Sequence, residues 1–204
     1  MNSSLASLSV EEIARRLRAN ARRLRTTETD AGGENLKCAA VLVPLLWERG
    51  EWHLLFTRRT EYVESHKGQV SFPGGACDAG ESQPEETALR ESEEEIGLKR
   101  SQVHLLGRLP PMITITHFRV TPVVGVIAWP IALKVSTQEV ARVFTIPLAW
   151  LDDPSNRWEF IREDRQTPLI AYHPYDGELL WGATARMTLM LLEALGSRSQ
   201  KEGD

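Results

Sequence analysis

Glu91, Glu94 and Glu95 fall at i, i+3 and i+4, so any helix that carries them presents them on one face. Like-charged neighbours at that spacing cost roughly 0.2–0.5 kcal/mol per pair. A divalent cation reverses that sign. Hard cations take carboxylate oxygens, and magnesium keeps several waters while bridging protein carboxylates to substrate phosphates. Two readings compete: a solvated, Glu-rich helix face that tolerates repulsion, and a site for Mg²⁺ or Mn²⁺. The stretch leading into the helix, Phe72-Pro73-Gly74-Gly75, favours the second. Without Cβ atoms, Gly74 and Gly75 let the backbone come close to a ligand. Arg90 stands among the acids and can pair with one of them, Glu81 for example, holding the loop to the helix.

An anionic substrate would need basic residues, and these lie just upstream. Arg58, Arg59 and Lys67 precede the glycines, with His66 beside Lys67. Arginine meets phosphate oxygens in a bidentate fork. Residues alternate faces along a strand, so at most one of Arg58 and Arg59 faces the site and the other ends a strand at the surface. Lys67 and His66 fit a plain surface role equally well. His53, His104, His117 and His173 are scattered without ligand spacing and read as core or surface residues. Cys77 reads as a small packing residue.

The elements that must position these groups follow from periodicity and punctuation. A helix is predicted over roughly 83–96, with Ser82 as N-cap, Glu85 completing a capping box, Pro84 in the first turn and Gly97 as the stop. Leu89, Ser92 and Ile96 form its inner face, opposite the glutamates, and Glu95 is expected on an open surface. Cys38–Trp47 and Trp52–Thr57 are apolar runs joined by the polar turn 48–51, a hairpin pattern. Strands are expected at Val103–Leu109 and Arg119–Ala128, with a short third candidate at Leu133–Val135. Glu139–Phe144 begins a helix or a strand, and Trp158–Ile161 with Leu169–Tyr172 makes a second hairpin. Gly182–Leu195 is a C-terminal helix stopped by Gly196. Near the N-terminus, residues 7–25 make an arginine-rich amphipathic helix with capping-box spacing at Ser9 and Glu12. Glu11 and Glu12 interrupt its basic run, which argues against a mitochondrial presequence. The organisation expected is a helical arm over 1–30, a main domain over 36–197 and a polar tail over 198–204. Strands and helices interleave, so the class is α/β, a sandwich rather than a bundle or barrel.

With 204 residues, 42% of them hydrophobic and 25% charged, the chain can bury one good-sized core. A net charge of −4 gives no pull toward nucleic acid or a membrane surface. No apolar run reaches the roughly 18 residues that a membrane span needs, and the first residues lack the apolar core of a secretory signal. Cys38 and Cys77 sit in unlike contexts and form neither a disulfide framework nor a metal-type pair, so a reducing cytoplasm is the expected compartment.

The acidic segment resembles the Nudix hydrolase signature: a glycine, five residues, a glutamate, a spacer, then Arg-Glu-apolar-x-Glu-Glu-x-Gly-apolar. Here that reads Gly75, Glu81, then Arg90-Glu91-Ser92-Glu93-Glu94-Glu95-Ile96-Gly97-Leu98. The spacer from Glu81 to Arg90 is one residue longer than usual, and Ser92 stands where an apolar residue is usual. Upstream, LFTRRTEYVESHKGQVSFPGG is similar to the coenzyme A pyrophosphatase branch through Thr57, Arg59, Gly68 and Phe72–Gly75. Further similarity lies in VTPVVG (120–125), in EVARVFTIPLAWL and in WGATA (181–185). Glu64 departs from that branch, occupying a position where it carries arginine.

The resemblance implies a Nudix-type α/β/α sandwich with a mixed β-sheet. It also implies metal-dependent hydrolysis of a pyrophosphate linkage, with Glu91, Glu94, Glu95 and the Gly75 carbonyl as ligands of Mg²⁺ or Mn²⁺. Arg59, with Arg58, Lys67, His66 and Gly74, would contact substrate, while Glu81 and Arg90 would support the loop. The water's base is a box glutamate or an acid outside the box, with Glu139 one candidate. The implied substrate is coenzyme A or its thioesters, giving 4′-phosphopantetheine and 3′,5′-ADP. Glu64 keeps open another nucleoside diphosphate derivative, such as ADP-ribose, a dinucleotide or a modified nucleotide. A non-catalytic Nudix-fold binding module is the alternative of another class, and retention of all four box glutamates argues against it. A homodimer is expected of the fold but is not readable from the residues.

Overall fold

The computed structural model describes residues 5–25, 36–61, 68–161 and 168–197. At its centre lies the hairpin of β1 (Lys37–Glu48) and β2 (Glu51–Arg59), paired Leu45 to Leu54 and Glu48 to Glu51. Arg49 and Gly50 form its two-residue turn, both at positive φ (51° and 85°). That is the backbone which matches strand twist in a tight hairpin. Beyond residue 54 the two strands separate, and the short strands β3 (Val70–Ser71) and β4 (Gly74–Ala76) enter between them. β3 pairs with β2, and β4 pairs with β1.

On its other edge β1 runs parallel to β7 (Phe118–Ile127), which also pairs with β5 (Val103–Arg108) and β6 (Met112–Ile113). β8 (Val140–Pro147) closes the outer edge of β2. Among the described residues this makes one mixed sheet of eight strands, plus a separate antiparallel pair, β9 (Arg157–Phe160) with β10 (Leu169–Tyr172).

Strand alternation gives the sheet two apolar faces. Ala40, Leu42, Leu46, Leu55 and Val123 face α2 (Pro84–Ile96), whose Ala88 and Ile96 are fully buried against them. On the reverse face, Val43, Leu45, Leu54, Phe56 and Phe144 pack with residues of α1 (Val10–Arg25), α3 (Leu148–Asp152) and α4 (Gly182–Ala194). Helices thus cover both faces, the α/β/α sandwich expected. Ile13 and Leu17 of α1 are buried in the second core, and the Ser9 hydroxyl accepts the Glu12 amide at 3.2 Å, the cap that the sequence pattern indicates. No helix among the described residues is long and apolar enough to cross a membrane.

Several local expectations are corrected. The N-cap of α2 is Gln83, one residue later than Ser82, because Glu86 rather than Glu85 turns back to accept from the amides of Ser82 and Gln83. Glu85 is drawn off by Arg108 of β5. Leu133–Val135 forms no strand, although Leu133 and Val135 still pack on the α2 side. The segment after Glu139 resolves as a strand, since pairing with β2 outweighs its ambiguous local pattern.

Cys38 and Cys77 are joined in a disulfide, 39 residues apart in sequence with Cα atoms 5.3 Å apart. The β1–β4 pairing brings them side by side, and the Cys77 amide donates to the Cys38 carbonyl at 3.0 Å. Cys77 is therefore a cross-link rather than a packing residue. The cysteine count no longer supports a reducing compartment.

Candidate active site

The double glycine serves two different contacts. Gly74 has φ of 155°, and a Cβ built on it would lie 2.4 Å from the Ala40 carbonyl oxygen and 2.5 Å from the Val41 Cα. Gly74 thus lets β4 press flat against β1. A Cβ on Gly75 would lie 2.5 Å from Oε1 and 2.6 Å from Oε2 of Glu91. Gly75 leaves room for a carboxylate rather than for backbone. The strand just before the glycines is anchored from behind, where the buried Thr184 hydroxyl of α4 donates to the Val70 carbonyl at 3.1 Å.

α2 delivers the glutamates. It stops at Gly97, whose φ of 70° is left-handed. Ser92, on the buried face where an apolar side chain is usual, is satisfied by donating its hydroxyl to the Ala88 carbonyl at 2.6 Å. The loop is tied to the helix by Arg90. Its guanidinium reaches Glu81 at 2.9 Å, Glu91 at 2.9 Å, Glu94 at 3.1 Å and the Ala76 carbonyl at 2.9 Å.

Glu81 also accepts from the Thr87 hydroxyl and the Asp78 amide. Its pKa is held down at about 2, chiefly by the Arg90 hydrogen bond. A depressed carboxylate contributes stability in full above its ordinary value near 4.5 and loses it as pH falls toward about 2. The gap in urea-unfolding midpoint between wild type and Glu81→Gln is therefore expected to hold from pH 7 to about 5 and to narrow below that. A gap that widens on acidification would exclude this tie.

Glu95 is not on an open face, contrary to expectation. Its side chain is 2% exposed, with Oε1 3.2 Å from the Arg59 guanidinium and Oε2 accepting the Gly74 amide at 3.2 Å. Burial pushes its pKa up to about 7 against the pull of Arg59 and the Gly74 amide, and the charges of Glu91 and Glu139 push the same way. Glu91 is raised as well, first by burial and further by Glu94 and Glu139, with Arg90 opposing. Glu94 is the most exposed of the three.

Glu139 arrives on a loop that docks on the end of α2. The Lys134 amide donates to Ile96 and the Ser136 amide to the Glu95 carbonyl, at 3.0 and 2.8 Å. Thr60, just after Arg59, clamps the same loop by donating its amide to the Glu139 carbonyl and its hydroxyl to Gln138.

The structure thus gathers Gly74, Gly75, Glu81, Arg90, Glu91, Glu94, Glu95 and Arg59. Arg58 is not among them. It projects from the reverse face of β2 and pairs with Glu178 at 3.3 Å, because adjacent strand residues point opposite ways. His66, Lys67 and Glu64 lie outside the described residues.

Among the described residues, no three acidic, histidine or cysteine side chains are gathered tightly enough to hold an ion as they stand. Two guanidiniums lie among them instead, shared by Glu81, Glu91, Glu94 and Glu95, with Glu139 adding a further charge. This donor set fits a hard divalent cation. It is all oxygen, it carries more negative than positive charge, and burial disfavours Glu91 and Glu95 as free anions. The glycine cradle against Glu91 leaves space that any side chain at position 75 would fill.

The NUDIX domain family matches residues 36–164, which span the whole constellation. This chain belongs to the Nudix hydrolase family. The Nudix hydrolase NudL of Yersinia enterocolitica is 39% identical over 156 residues, covering 76% of this chain and 80% of that protein. NudL of Escherichia coli K12 is 38% identical over 147 residues, covering 72% and 71%. Both relatives are described as uncharacterized, and their names carry no substrate. Among solved structures, a MutT/nudix family protein from Enterococcus faecalis matches with a TM-score of 0.52 at 15% identity, over 93% of this chain and 80% of that one. That likeness is one of fold. The Nudix hydrolase signature accounts for the loop and helix, whereas the docking of Glu139 and the Cys38–Cys77 bond carry no signal in it. They depend on strand neighbours far apart in the chain.

Proposed function

We propose that this Nudix hydrolase uses Mg²⁺ or Mn²⁺ to cleave the pyrophosphate linkage of a nucleoside diphosphate derivative, with coenzyme A or its thioesters as substrate. The observation that carries the metal site is the pair Glu91 and Glu95: two carboxylates set against a side-chain-free loop, with pKa values raised by burial. Glu91, Glu95, Glu94 and the Gly75 carbonyl would hold the ion. Bound there, it would neutralise phosphate oxygens and lower the pKa of the attacking water.

The chain's own residues do the rest. Arg59 lies beside Glu95 and can turn its guanidinium to a phosphate oxygen. Arg90 holds Glu81 and the loop carbonyl of Ala76, which keeps Gly75 in place. Water adds to one phosphorus, the bridging oxygen leaves on the other phosphate, and a carboxylate takes the water's proton. Glu139 is the proposed acceptor, because its loop is clamped onto α2 and its charge is felt by both Glu91 and Glu95. Glu139→Gln is expected to lower kcat by about 10²-fold, the scale of general-base catalysis. A variant with unchanged kcat would move the role to a box glutamate.

Coenzyme A is favoured by the residues similar to that branch, Thr57, Arg59, Gly68 and Phe72–Gly75, and by WGATA, whose Thr184 anchors β3. Glu64 favours a second substrate, since a glutamate repels the phosphate that an arginine would meet. The test is turnover by the purified protein with Mg²⁺ or Mn²⁺ of coenzyme A, ADP-ribose, NADH, diadenosine polyphosphates and dNTPs. Turnover of coenzyme A, with release of 4′-phosphopantetheine and 3′,5′-ADP, is the expected result. Turnover of the others alone selects the second substrate class. No turnover, with Glu91→Gln indistinguishable from wild type, returns the protein to a binding role.

A further inference from the structure

We propose that the Cys38–Cys77 disulfide is a redox tether that sets the divalent-cation affinity of the acidic site. The proposal rests on the metal-site reading above. β4 is three residues long and lies against β1, and the cystine is the next rung after the pair Ala39–Ala76. Two residues before Cys77 is Gly75, against which the Glu91 carboxylate packs. One residue before it is Ala76, whose carbonyl takes the Arg90 guanidinium. One residue after it is Asp78, whose amide donates to the Glu81 carboxylate at 2.7 Å. The contacts that Gly74, Gly75, Ala76 and Glu81 make with Glu95, Glu91 and Arg90 of α2 therefore all lie within four residues of the covalent bond.

A cross-link between segments 39 residues apart restricts the states open to the loop. With the bond broken, a short ladder and the single 3.0 Å Cys77–Cys38 hydrogen bond hold this end. The oxidised chain presents Gly75 and Glu91 in one arrangement. The reduced chain spreads them over several, and the ion must bear the cost of ordering them.

Cys38 is an exposed residue, while Cys77 is half-buried. A low-molecular-weight thiol is the co-reactant. Its thiolate attacks the Cys38 sulfur, the sulfur–sulfur bond breaks, and Cys77 leaves as a thiolate that takes a proton. A second thiol molecule attacks the mixed disulfide and releases Cys38. Two thiols become one disulfide, and two electrons and two protons reach the protein. No other cysteine is present to divert the exchange.

Linkage makes the test two-sided, because a redox state that tightens the ion by some factor is itself favoured by the ion by that same factor. Mn²⁺ alone is titrated into the full chain, oxidised or reduced and then desalted, with free Mn²⁺ read by electron paramagnetic resonance. Separately, the oxidised fraction is measured by thiol alkylation and mass spectrometry in a glutathione redox buffer, with and without Mn²⁺. The expected result is a Kd for Mn²⁺ about fivefold or more higher in the reduced protein, and an equal shift of the redox equilibrium toward cystine when Mn²⁺ is present. The double variant Cys38→Ser with Cys77→Ser should bind Mn²⁺ as the reduced protein does, with no response to thiol. Equal Kd values in the two redox states overturn the tether and leave the metal site standing. Failure of both states to bind Mn²⁺ removes both proposals. Two alkylatable thiols in protein treated with oxidised glutathione overturn the tether on chemical grounds.

Discussion

Glu91→Gln lowers kcat by about 10³-fold and leaves thermal stability at neutral pH unchanged or slightly higher. A bound cation contributes several kcal/mol of charge stabilisation to the transition state, and about 1.4 kcal/mol corresponds to tenfold in rate, so loss of a principal ligand costs on the order of three decades. Stability is spared for a separate reason. Burial opposes the Glu91 charge, so glutamine of the same shape removes a cost. Arg90 loses one partner but retains Glu81, Glu94 and the Ala76 carbonyl. Steady-state kinetics with Mn²⁺ and a melting curve on the same preparation check both halves. Wild-type turnover in this variant would end the metal-site proposal. A collapsed melting temperature would mean that Glu91 is a structural residue after all.

Gly74→Ala is expected to have the largest effect on stability, about 3–5 kcal/mol. Its φ of 155° is strained for any residue with a Cβ, and the new methyl would meet backbone atoms 2.4 and 2.5 Å away that cannot rotate aside. For a domain of this size that is a fall in melting temperature of roughly 10 °C. Gly75→Ala behaves differently. The atoms nearest its Cβ would be the carboxylate end of Glu91, which is flexible. The fold survives, and the loss appears in activity and Mn²⁺ affinity. Thermal melts and Mn²⁺ titrations of both variants distinguish the two glycines. If Gly74→Ala melted with wild type, the pressing of β4 onto β1 would be disproved.

Much of the site could be read from residues near one another in the chain. The spacing of Glu91, Glu94 and Glu95, the Gly97 stop, the Glu81–Arg90 tie and the double glycine all concern a helix and the loop that opens it. Local steric rules govern those. The opposite facing of Arg58 and Arg59 also follows from strand alternation. The N-cap was displaced by one residue because Arg108, on a strand 23 residues from Glu85, competes for that glutamate.

By itself, then, the sequence determined the sandwich class, the central hairpin, the acidic helix and the double glycine at which the backbone allows a close approach. Each is set by periodicity or by the presence or absence of a Cβ. Tertiary structure alone decided that Glu95 is buried against Arg59, that Glu139 is clamped beside the acids, and that Cys38 meets Cys77. All three arise where β1 separates from β2 to admit β4, or where the loop before β8 folds onto α2. Such contacts join residues 36 or more positions apart, and their register is chosen by the packing of two cores at once, which no local pattern of residues encodes.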